Sequence, residues 1–327
     1  MKIYFYEVKD YEIPFINKYA EEYGYEADYT TELLSSENAA LSFGYDAVST
    51  LGFSRGDGEI MRLLAKNGVK YFSTRTVGYE HVDVNAAKEN GIKSFRANYS
   101  SSNVADFTVM LILMLLRKCK VSVCRSLVNN FSLDEMMGRD LKSLTVGVIG
   151  TGRIGFNVIK NLSGFGCRIL CNDKFPNDAV KAYAEYRPLD DLYAECDIIT
   201  LHTPLTGENR HIIDAAAIDK MKKGVLIINT ARGALIDTEA LIHGIESEKI
   251  GGAGIDTVEG EDGICHVDIK TRISNKQNLF YLKQVPNVIY TPHIGFFTEE
   301  AVGQMVESAF KGVALAEKGG ENKFEIK

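Results

Sequence analysis

The sequence lacks any apolar run long enough to cross a membrane. Its longest such run, residues 107–116, contains Thr108 and is about half the roughly 20 residues that a spanning helix needs. The amino terminus also lacks a secretion signal, because Glu7 interrupts it before an apolar region of about 7–15 residues can form. We therefore expect neither a membrane anchor nor export, and we place the protein in the cytoplasm.

Cysteine is scarce, and its spacing excludes the common metal-binding and redox motifs. None of the six cysteines belongs to a Cys-x-x-Cys pair. Cys167 and Cys171 lie on one face of a segment that has the composition of a strand, which favours packing in a core. Cys265 precedes His266, but the sequence offers no third ligand near this pair. We therefore expect core thiols in a reducing compartment and no metal site.

Positive charge is in deficit. Lys and Arg together number 37 against 44 Asp and Glu, which gives a net charge of −7. Proteins that bind a phosphate backbone depend on clustered basic residues, so we expect no nucleic-acid partner. The hydrophobic content of 45% is ordinary for a globular protein, and 327 residues favour two domains.

Strand-like and helix-like segments alternate along the chain, which indicates parallel sheets covered by helices. A first series contains the strands KIYFY, DAVST, KYFST and IKSFR and gives way at the polar stretch NYSSSN. A second series contains TVGVIG, CRILC, DIITL, VLIIN, GGAGID and NVIYT, and six such strands suggest a dinucleotide-binding sheet. We predict a substrate domain formed by residues 1–101 and 299–327, into which an NAD-binding domain of residues 102–298 is inserted.

Helices are predicted between these strands from apolar periodicity and capping residues. They span residues 58–67, 84–90, 104–119 and 299–317, with Asp83 and Asn103 as the N-caps of the second and third. The apolar helix of residues 104–119 is either buried between the domains or forms a contact between two copies of the chain.

The glycines of VGVIGTGRIG form a G-x-G-x-x-G pattern between a strand and a helix. Gly150 permits a tight turn, Gly152 lets a diphosphate approach the backbone, and Gly155 allows close packing of helix on strand. The first helical turn then offers free N–H groups to the anion. Asp173 ends the next strand, where a carboxylate binds the adenosine ribose and repels a 2′-phosphate. This favours NAD over NADP, although Asp173 has a simpler reading as a turn residue.

Three later strands end at residues that are suited to catalysis. Arg232 follows VLIIN, Asp256 ends GGAGID with Glu261 five residues later, and His293 lies in TPHIG. Ligands bind beyond the carboxyl ends of strands in such sheets, so these side chains are expected to converge. Singly, each has a plainer explanation: an arginine that reaches water, an acidic turn, a structural histidine.

These segments carry a strong resemblance to the D-2-hydroxyacid dehydrogenase family over nearly the whole chain. The similar motifs are TRTVGYEHVD, NYSSSNVADFTV, VGVIGTGRIG, LHTPLT, INTARGALIDTEAL, GAGIDTVEGE and NVIYTPHIGFFTEEA. Within the family, the chain looks most like D-lactate dehydrogenases, including the vancomycin-resistance type, and bacterial phenyllactate dehydrogenases. The resemblance implies a Rossmann NAD-binding domain inserted into a flavodoxin-like substrate domain, and a homodimer formed through the apolar helix.

The resemblance also implies the roles of the catalytic residues. Arg232 would bind the substrate carboxylate and polarise its keto oxygen, His293 would be the general acid–base, and Glu261 would hold the imidazole. Elementary chemistry agrees with these roles. A guanidinium grips a carboxylate at two points, and a histidine with an unperturbed pKa of about 6.5 exchanges protons near neutral pH.

Further contacts are implied by the same resemblance. Substrate contacts are expected from Val77, Gly78 and Tyr99, and the side chain of the substrate would be enclosed by Phe53 and Phe296. Besides the three glycines and Asp173, cofactor contacts are expected from Arg153, Ile154, His202, Thr203, Pro204, Thr230, Ala231 and Asp256.

The sequence is compatible with more than one 2-oxo acid substrate. Phenylalanines either close down on a methyl group or form a slot for a larger side chain, and we rank pyruvate slightly ahead of phenylpyruvate and 2-oxoisocaproate. A different class is a non-enzymatic NAD-sensing protein of the same fold. Such a protein needs the cofactor glycines but has no need of Arg232, Glu261 and His293 together.

Overall fold

The computed structural model describes residues 1–261, 263–270, 275–319 and 321–326. The chain forms two compact units, one of Met1–Ser100 with Phe297–Lys327 and the other of Ser101–Phe296. Each unit contains one sheet, and every strand pairing in both sheets is parallel. The predicted α/β class with two parallel sheets is confirmed.

The first unit contains a five-stranded sheet with the strand order β2-β1-β3-β4-β5. Its strands are β1 (Lys2–Phe5), β2 (Glu26–Tyr29), β3 (Ala47–Thr50), β4 (Tyr71–Thr74) and β5 (Lys93–Arg96). This order is the flavodoxin-like order, as the resemblance implied. The sequence did not reveal β2, because it is an edge strand with the mostly exposed residues EADY and has no apolar face to signal it.

The described residues of the first unit form four α-helices. They are α1 (Ile13–Tyr23), α2 (Gly58–Lys66), α3 (Val84–Glu89) and α11 (Glu299–Lys318). Asp83 caps α3 by accepting a hydrogen bond from the amide of Ala86, which confirms its predicted role. On one side of the sheet, Ile3, Phe5 and Phe95 pack with Phe310 of α11 in a buried core.

The second unit contains a seven-stranded sheet with the order β12-β11-β10-β9-β6-β7-β8. Its strands are β6 (Thr145–Ile149), β7 (Arg168–Asn172), β8 (Glu185–Tyr186), β9 (Ile198–Leu201), β10 (Val225–Asn229), β11 (Ile250–Ile255) and β12 (Val288–Tyr290). The order reverses at β6, and in such sheets ligands bind beyond the carboxyl ends of the strands at this reversal. Six of the seven strands were predicted from sequence, and β8 is an edge strand of only two residues.

The second unit contains seven α-helices among the described residues, and the first of these differs from prediction at both ends. They are α4 (Ser102–Leu116), α5 (Cys119–Ser126), α6 (Arg153–Ser163), α7 (Leu189–Glu195), α8 (Ala215–Lys220), α9 (Thr238–Glu246) and α10 (Gln277–Gln284). Asn103 does not cap α4. Ser101 precedes the helix, and the Asn103 amide donates to the carbonyl of Phe296 at 2.7 Å. The predicted helix also divides near its end, because Lys118 adopts a left-handed conformation between α4 and α5.

None of the described helices combines the length and apolar content of a membrane span. None of the six cysteines, which all lie in the described part of the chain, forms a disulfide, and three of them are buried. Burial raises the pKa of Cys171 and of Cys196 to about 12, so both remain protonated at neutral pH. Cys196 packs within 2.8 Å of the place where Gly147 would carry a Cβ atom, which marks it as a core thiol.

Candidate active site

Three neighbouring strands of the second sheet end at the predicted catalytic residues. Arg232 follows β10, Glu261 follows β11 and His293 follows β12. These strands are adjacent and parallel, so their carboxyl ends meet at one edge of the sheet. The topology thus brings together segments that are far apart in the sequence.

His293 and Glu261 form a hydrogen-bonded pair. His293 Nδ1 lies 2.7 Å from Glu261 Oε1, and the other carboxylate oxygen accepts a hydrogen bond from the amide of Val258 at 3.0 Å. The His293 side chain is 34% exposed, whereas that of Glu261 is 17% exposed. Because Nδ1 is occupied by the carboxylate, Nε2 is the nitrogen left to exchange a proton with a ligand.

Asp256 fixes the loop that carries His293. Its side chain accepts hydrogen bonds from the hydroxyl of Thr291 at 2.6 Å, the amide of Ile294 at 2.9 Å and the amide of Gly295 at 2.8 Å. Its backbone carbonyl accepts from the amide of His293 at 2.8 Å. Asp256 is 2% exposed. The resemblance implies a contact of Asp256 with the cofactor, and that role remains a prediction beside this structural one.

Arg232 lies in a loop that packs closely on the loop after β11. A Cβ atom on Gly233 would come within 2.1 Å of the backbone of Val258, so only glycine permits this approach. Asn229, buried at the end of β10, donates through its side chain to the carbonyl of Arg232 at 2.9 Å and accepts from the amide of Ala231 at 3.0 Å. These contacts hold the arginine next to the segment that leads to Glu261.

The predicted glycines divide into two that pack and one that faces open space. A Cβ on Gly155 would lie 1.9 Å from the carbonyl oxygen of Gly150, and a Cβ on Gly150 would lie 2.6 Å from the backbone of His202. Gly150 also has a φ of 94°. In contrast, a Cβ on Gly152 would have nothing within 4 Å, directly before α6. This open helix N-terminus fits a diphosphate.

Asp173 lies where the ribose-binding carboxylate is expected, after β7, but it also holds the glycine loop. Its Oδ2 atom accepts from the amide and hydroxyl of Thr151 at 2.6 Å and 3.1 Å, and its Oδ1 atom accepts from the amide of Phe175 at 2.8 Å. An ionised carboxylate offers about four acceptor positions, so these bonds leave capacity for a ribose hydroxyl. Asp173 can therefore serve both as a turn residue and as the carboxylate that binds the ribose.

His202 follows β9 and packs against the glycine loop. Burial lowers the pKa of His202 to about 3, so its imidazole is neutral at working pH. Its Nε2 atom lies 2.8 Å from the Thr200 hydroxyl. Its Nδ1 atom and the Thr257 hydroxyl are buried without a hydrogen-bond partner among the described residues, and both lie just beyond the carboxyl ends of their strands. Such atoms ordinarily gain partners when a polar ligand binds.

The remaining predicted cofactor residues lie at this same edge of the sheet. Thr230 directly follows β10, and its hydroxyl lies 2.9 Å from that of Thr108 on α4. The others lie in the first turn of α6 and in the loops after β9 and β10, namely Arg153, Ile154, Thr203, Pro204 and Ala231. Their contacts with a cofactor remain predictions.

The predicted substrate residues of the first unit follow neighbouring strands of its own sheet. Phe53 comes after β3, Val77 and Gly78 after β4, and Tyr99 after β5. The buried carboxylate of Glu7 accepts from the amide of Phe53 at 3.1 Å. The Thr76 hydroxyl donates to the carbonyl of Gly78 at 2.6 Å. The first unit therefore holds these loops by hydrogen bonds, and their role in substrate binding remains a prediction.

The Cys265–His266 pair lies against the loop of His293, which the sequence did not reveal. Cys265 Sγ donates to the carbonyl of Pro292 at 3.3 Å, and His266 Nε2 donates to the carbonyl of His293 at 2.8 Å. The ring of Phe296 lies 6.5 Å from that of His293 and 5.9 Å from that of His266. His293 has a φ of 56°, and these contacts support that unusual backbone conformation.

Replacing Glu261 by glutamine is expected to lower kcat/KM for the oxo acid by about tenfold or more, the value of one hydrogen bond to a charged group. A neutral amide can still accept a hydrogen bond from His293 Nδ1, but it does not balance the positive charge of a ring that donates a proton. Steady-state kinetics measures this loss. Glu259→Gln is the matched control, because Glu259 pairs instead with Arg210 and His211. Equal kcat/KM values for Glu261→Gln and the parent would contradict the proposed role of Glu261.

The chain is similar to known proteins over almost its whole length. Residues 109–295 match the family described as "D-isomer specific 2-hydroxyacid dehydrogenase, NAD binding domain". The chain is 46% identical to an aromatic 2-oxoacid reductase of Clostridium sporogenes, over 94% of this chain and 93% of that protein. It is 35% identical to a D-lactate dehydrogenase of Escherichia coli, over 98% of each.

A solved structure shares the fold. It is described as D-lactate dehydrogenase with NAD+ from Lactobacillus jensenii, and it superimposes with a TM-score of 0.90. The two chains are 29% identical, and the match covers 100% of each. The second unit is thus similar in sequence and structure to NAD-binding domains.

Proposed function

Since the chain belongs to the D-isomer specific 2-hydroxyacid dehydrogenase family and is an NAD-dependent oxidoreductase, we propose that it reduces a 2-oxo acid to the (R)-2-hydroxy acid through Arg232, Glu261 and His293. The observation that carries this assignment is the 2.7 Å contact of His293 with Glu261, at the same sheet edge as Arg232 and the open Gly152. An NAD-sensing protein has no use for such a pair.

The residues act on the substrate in distinct ways. The guanidinium of Arg232 binds the carboxylate and draws electron density toward the keto oxygen. His293 Nε2 gives a proton to that oxygen, and Glu261 stabilises the imidazolium until the transfer. NADH supplies the hydride that reaches the keto carbon. In the reverse direction the neutral imidazole accepts the hydroxyl proton.

The two units are given separate tasks. The second unit, which contains the matched NAD-binding region, holds the cofactor through the glycine loop. We assign substrate contacts in the first unit to Phe53, Val77, Gly78 and Tyr99, and a substrate contact in the second unit to Phe296. The protein's six free thiols support a cytoplasmic location.

For the substrate, we place aromatic 2-oxo acids ahead of pyruvate, which reverses the order suggested by the sequence. The relative with 46% identity is named an aromatic 2-oxoacid reductase, and the one with 35% identity is named a D-lactate dehydrogenase. The Phe296 ring, which packs edge-on to His293, offers an apolar surface beside the reacting group. Pyruvate remains the second candidate.

The test is a panel of 2-oxo acids assayed by NADH oxidation. Phenylpyruvate is expected to give the highest kcat/KM, followed by 2-oxoisocaproate and pyruvate, and each product should be the (R) isomer. If kcat/KM were highest with pyruvate, pyruvate would again rank ahead of the aromatic 2-oxo acids, as the sequence suggested. Absence of turnover with every member would favour the NAD-sensing protein.

Replacing Asp173 by alanine is expected to raise the KM for NADH roughly tenfold, about the value of one hydrogen bond to a charged group. The relative activity with NADPH should rise, because the carboxylate no longer repels the 2′-phosphate. The ratio of kcat/KM for the two coenzymes measures both effects. Asp178→Ala, at an exposed position nearby, is the control. An unchanged ratio would leave Asp173 as a turn residue only.

We further propose that the enzyme is a homodimer. The buried face of α4 packs on the core of its own unit, so the proposed contact is carried by the region after it. Large apolar side chains are exposed there, namely Val123, Leu127, Val128, Phe131, Leu133 and Met137. Large apolar patches on a protein surface mark interfaces, and these exposed side chains all belong to one stretch of the chain, residues 123–137. Phe131→Ser with Leu133→Ser is expected to yield a single 36.2 kDa chain in sedimentation equilibrium, whereas a monomeric parent would refute the dimer.

A further inference from the structure

Three potential metal ligands of different chemistry meet beside the proposed proton donor. One ligand atom from each of Glu261, Cys265 and His293 lies within 4.8 Å of the other two. We propose that this cluster is a binding site for a zinc-class divalent cation and that the bound cation inhibits the enzyme. The inhibition rests on the proposed function, whereas the binding does not.

The donor set is typical of zinc. Thiolate, imidazole and carboxylate bind this ion at about 2.0–2.3 Å, which places neighbouring ligand atoms roughly 3.3–3.8 Å apart. Around an ion, the longest separation in the cluster therefore shortens by about 1 Å, while the 2.7 Å contact between Glu261 and His293 opens by about 0.6 Å. Three protein ligands leave a fourth position for water. Magnesium and calcium prefer oxygen ligands and are not expected to bind here.

Local structure presents Cys265 to the other two residues. The amide of Cys265 donates to the carbonyl of Glu261 at 3.2 Å, which brings the thiol back over the carboxylate. Its sulfur lies 3.3 Å from the carbonyl of Pro292, the residue before His293. Cys265 is 5% exposed, so the thiol faces the cluster and not bulk solvent. The two hydrogen bonds of Cys265 thus join the loop after β11 to the segment after β12, and they do not require an ion.

A cation at this position is incompatible with proton transfer. If it binds Nδ1, it replaces the proton that Glu261 now accepts, and the ring can no longer form the imidazolium that donates at Nε2. If it binds Nε2, it occupies the reacting nitrogen itself. Either mode also engages the Glu261 carboxylate. Binding releases protons from the thiol and the ring.

Binding is measured first, without turnover. Cobalt(II) is titrated into the full-length protein, and absorption from thiolate-to-cobalt charge transfer reports a cysteine ligand, with zinc then displacing the cobalt. The Cys265→Ser variant keeps a hydroxyl that can donate to Pro292 but removes the soft ligand. It should lose this absorption, and its zinc affinity should fall by at least about tenfold, since even outer-shell partners contribute that much.

A variant with Cys119→Ser and Cys124→Ser is the matched control. These cysteines are the more accessible thiols of α5, and their loss should leave the cobalt absorption unchanged. Equal absorption and zinc affinity in Cys265→Ser and the parent would overturn the proposal, as would loss of the signal only in the α5 variant.

Inhibition is then measured by NADH oxidation with the best substrate. Micromolar zinc is expected to inhibit the parent reversibly, with recovery on adding a chelator, and Cys265→Ser should need at least about tenfold more zinc. Equal inhibition of both proteins would overturn the proposal. A protein that binds cobalt through Cys265 yet reduces no 2-oxo acid would retain the site and lose the proposed function, so the two failures are distinguishable.

Discussion

Alanine in place of Arg232 is expected to lower kcat/KM by at least roughly 10²–10³-fold, the usual effect of removing one group that stabilises developing charge. KM for the oxo acid should rise and kcat should fall, because the guanidinium both binds the carboxylate and polarises the carbonyl. KM for NADH should change little, because the glycine loop that is expected to bind NADH follows β6, whereas Arg232 follows β10. Steady-state kinetics with each substrate varied in turn separates these effects.

Lysine at position 232 is the informative companion. It retains the charge but not the planar fork, so its activity should lie between those of the parent and the alanine variant. Thermal melts establish that each variant is folded. If Arg232→Ala raised KM alone and left kcat unchanged, the polarising role would be wrong and only the binding role would remain.

Alanine in place of Glu12 is expected to destabilise the protein by about 3–5 kcal/mol, the usual cost of leaving one member of a buried ion pair alone. Glu12 and Arg75 form such a pair in the first unit, with 1% and 0% of their side chains exposed. Arg75 Nε lies 2.6 Å from Glu12 Oε1, and its Nη2 atom lies 3.2 Å from Oε2. Denaturant unfolding measures the loss.

Two controls identify the cause of that loss. Asp190→Ala removes an exposed partner of Lys220 and should change the free energy of unfolding by no more than about 1 kcal/mol. Glu12→Ala combined with Arg75→Met should be more stable than Glu12→Ala alone, because the unpaired buried charge is gone. A double variant that is less stable than the single one would indicate that Arg75 stabilises the fold through its other contacts, with Ser49 and the carbonyl of Tyr6.

The buried pair also shows where sequence reasoning stopped. Arg75 lies within TRTVGYEHVD, two residues before Val77, yet nothing local distinguishes it from a surface arginine. Its partner is 63 positions away in a short 3-10 turn. The two meet only because β1 and β4 are parallel and are separated by β3 alone, which brings the segments after both strands to the same edge of the sheet.

The elements that sequence predicted correctly are those with a strong local pattern. Buried strands such as β6 and β10 are mostly apolar, and α3 begins at a capping aspartate. The strands it missed, β2 and β8, are polar or very short and lie at sheet edges. The predicted start of α4 was wrong, because Asn103 does not cap the helix although asparagine is a good capping residue. Its side-chain amide donates instead to the carbonyl of Phe296, 193 positions away.

The sequence by itself determined the two parallel sheets, the glycine loop and the kinds of residue at the strand ends. Burial and turn formation depend on neighbours in the chain, so they leave a local pattern. Only the tertiary structure decided which of these residues touch. Glu261 reaches His293 across 32 positions, Asp256 binds the loop of His293, and Cys265 lies beside both catalytic side chains. These contacts depend on the order of strands β10, β11 and β12 and on a left-handed turn at His293, and no local pattern encodes either.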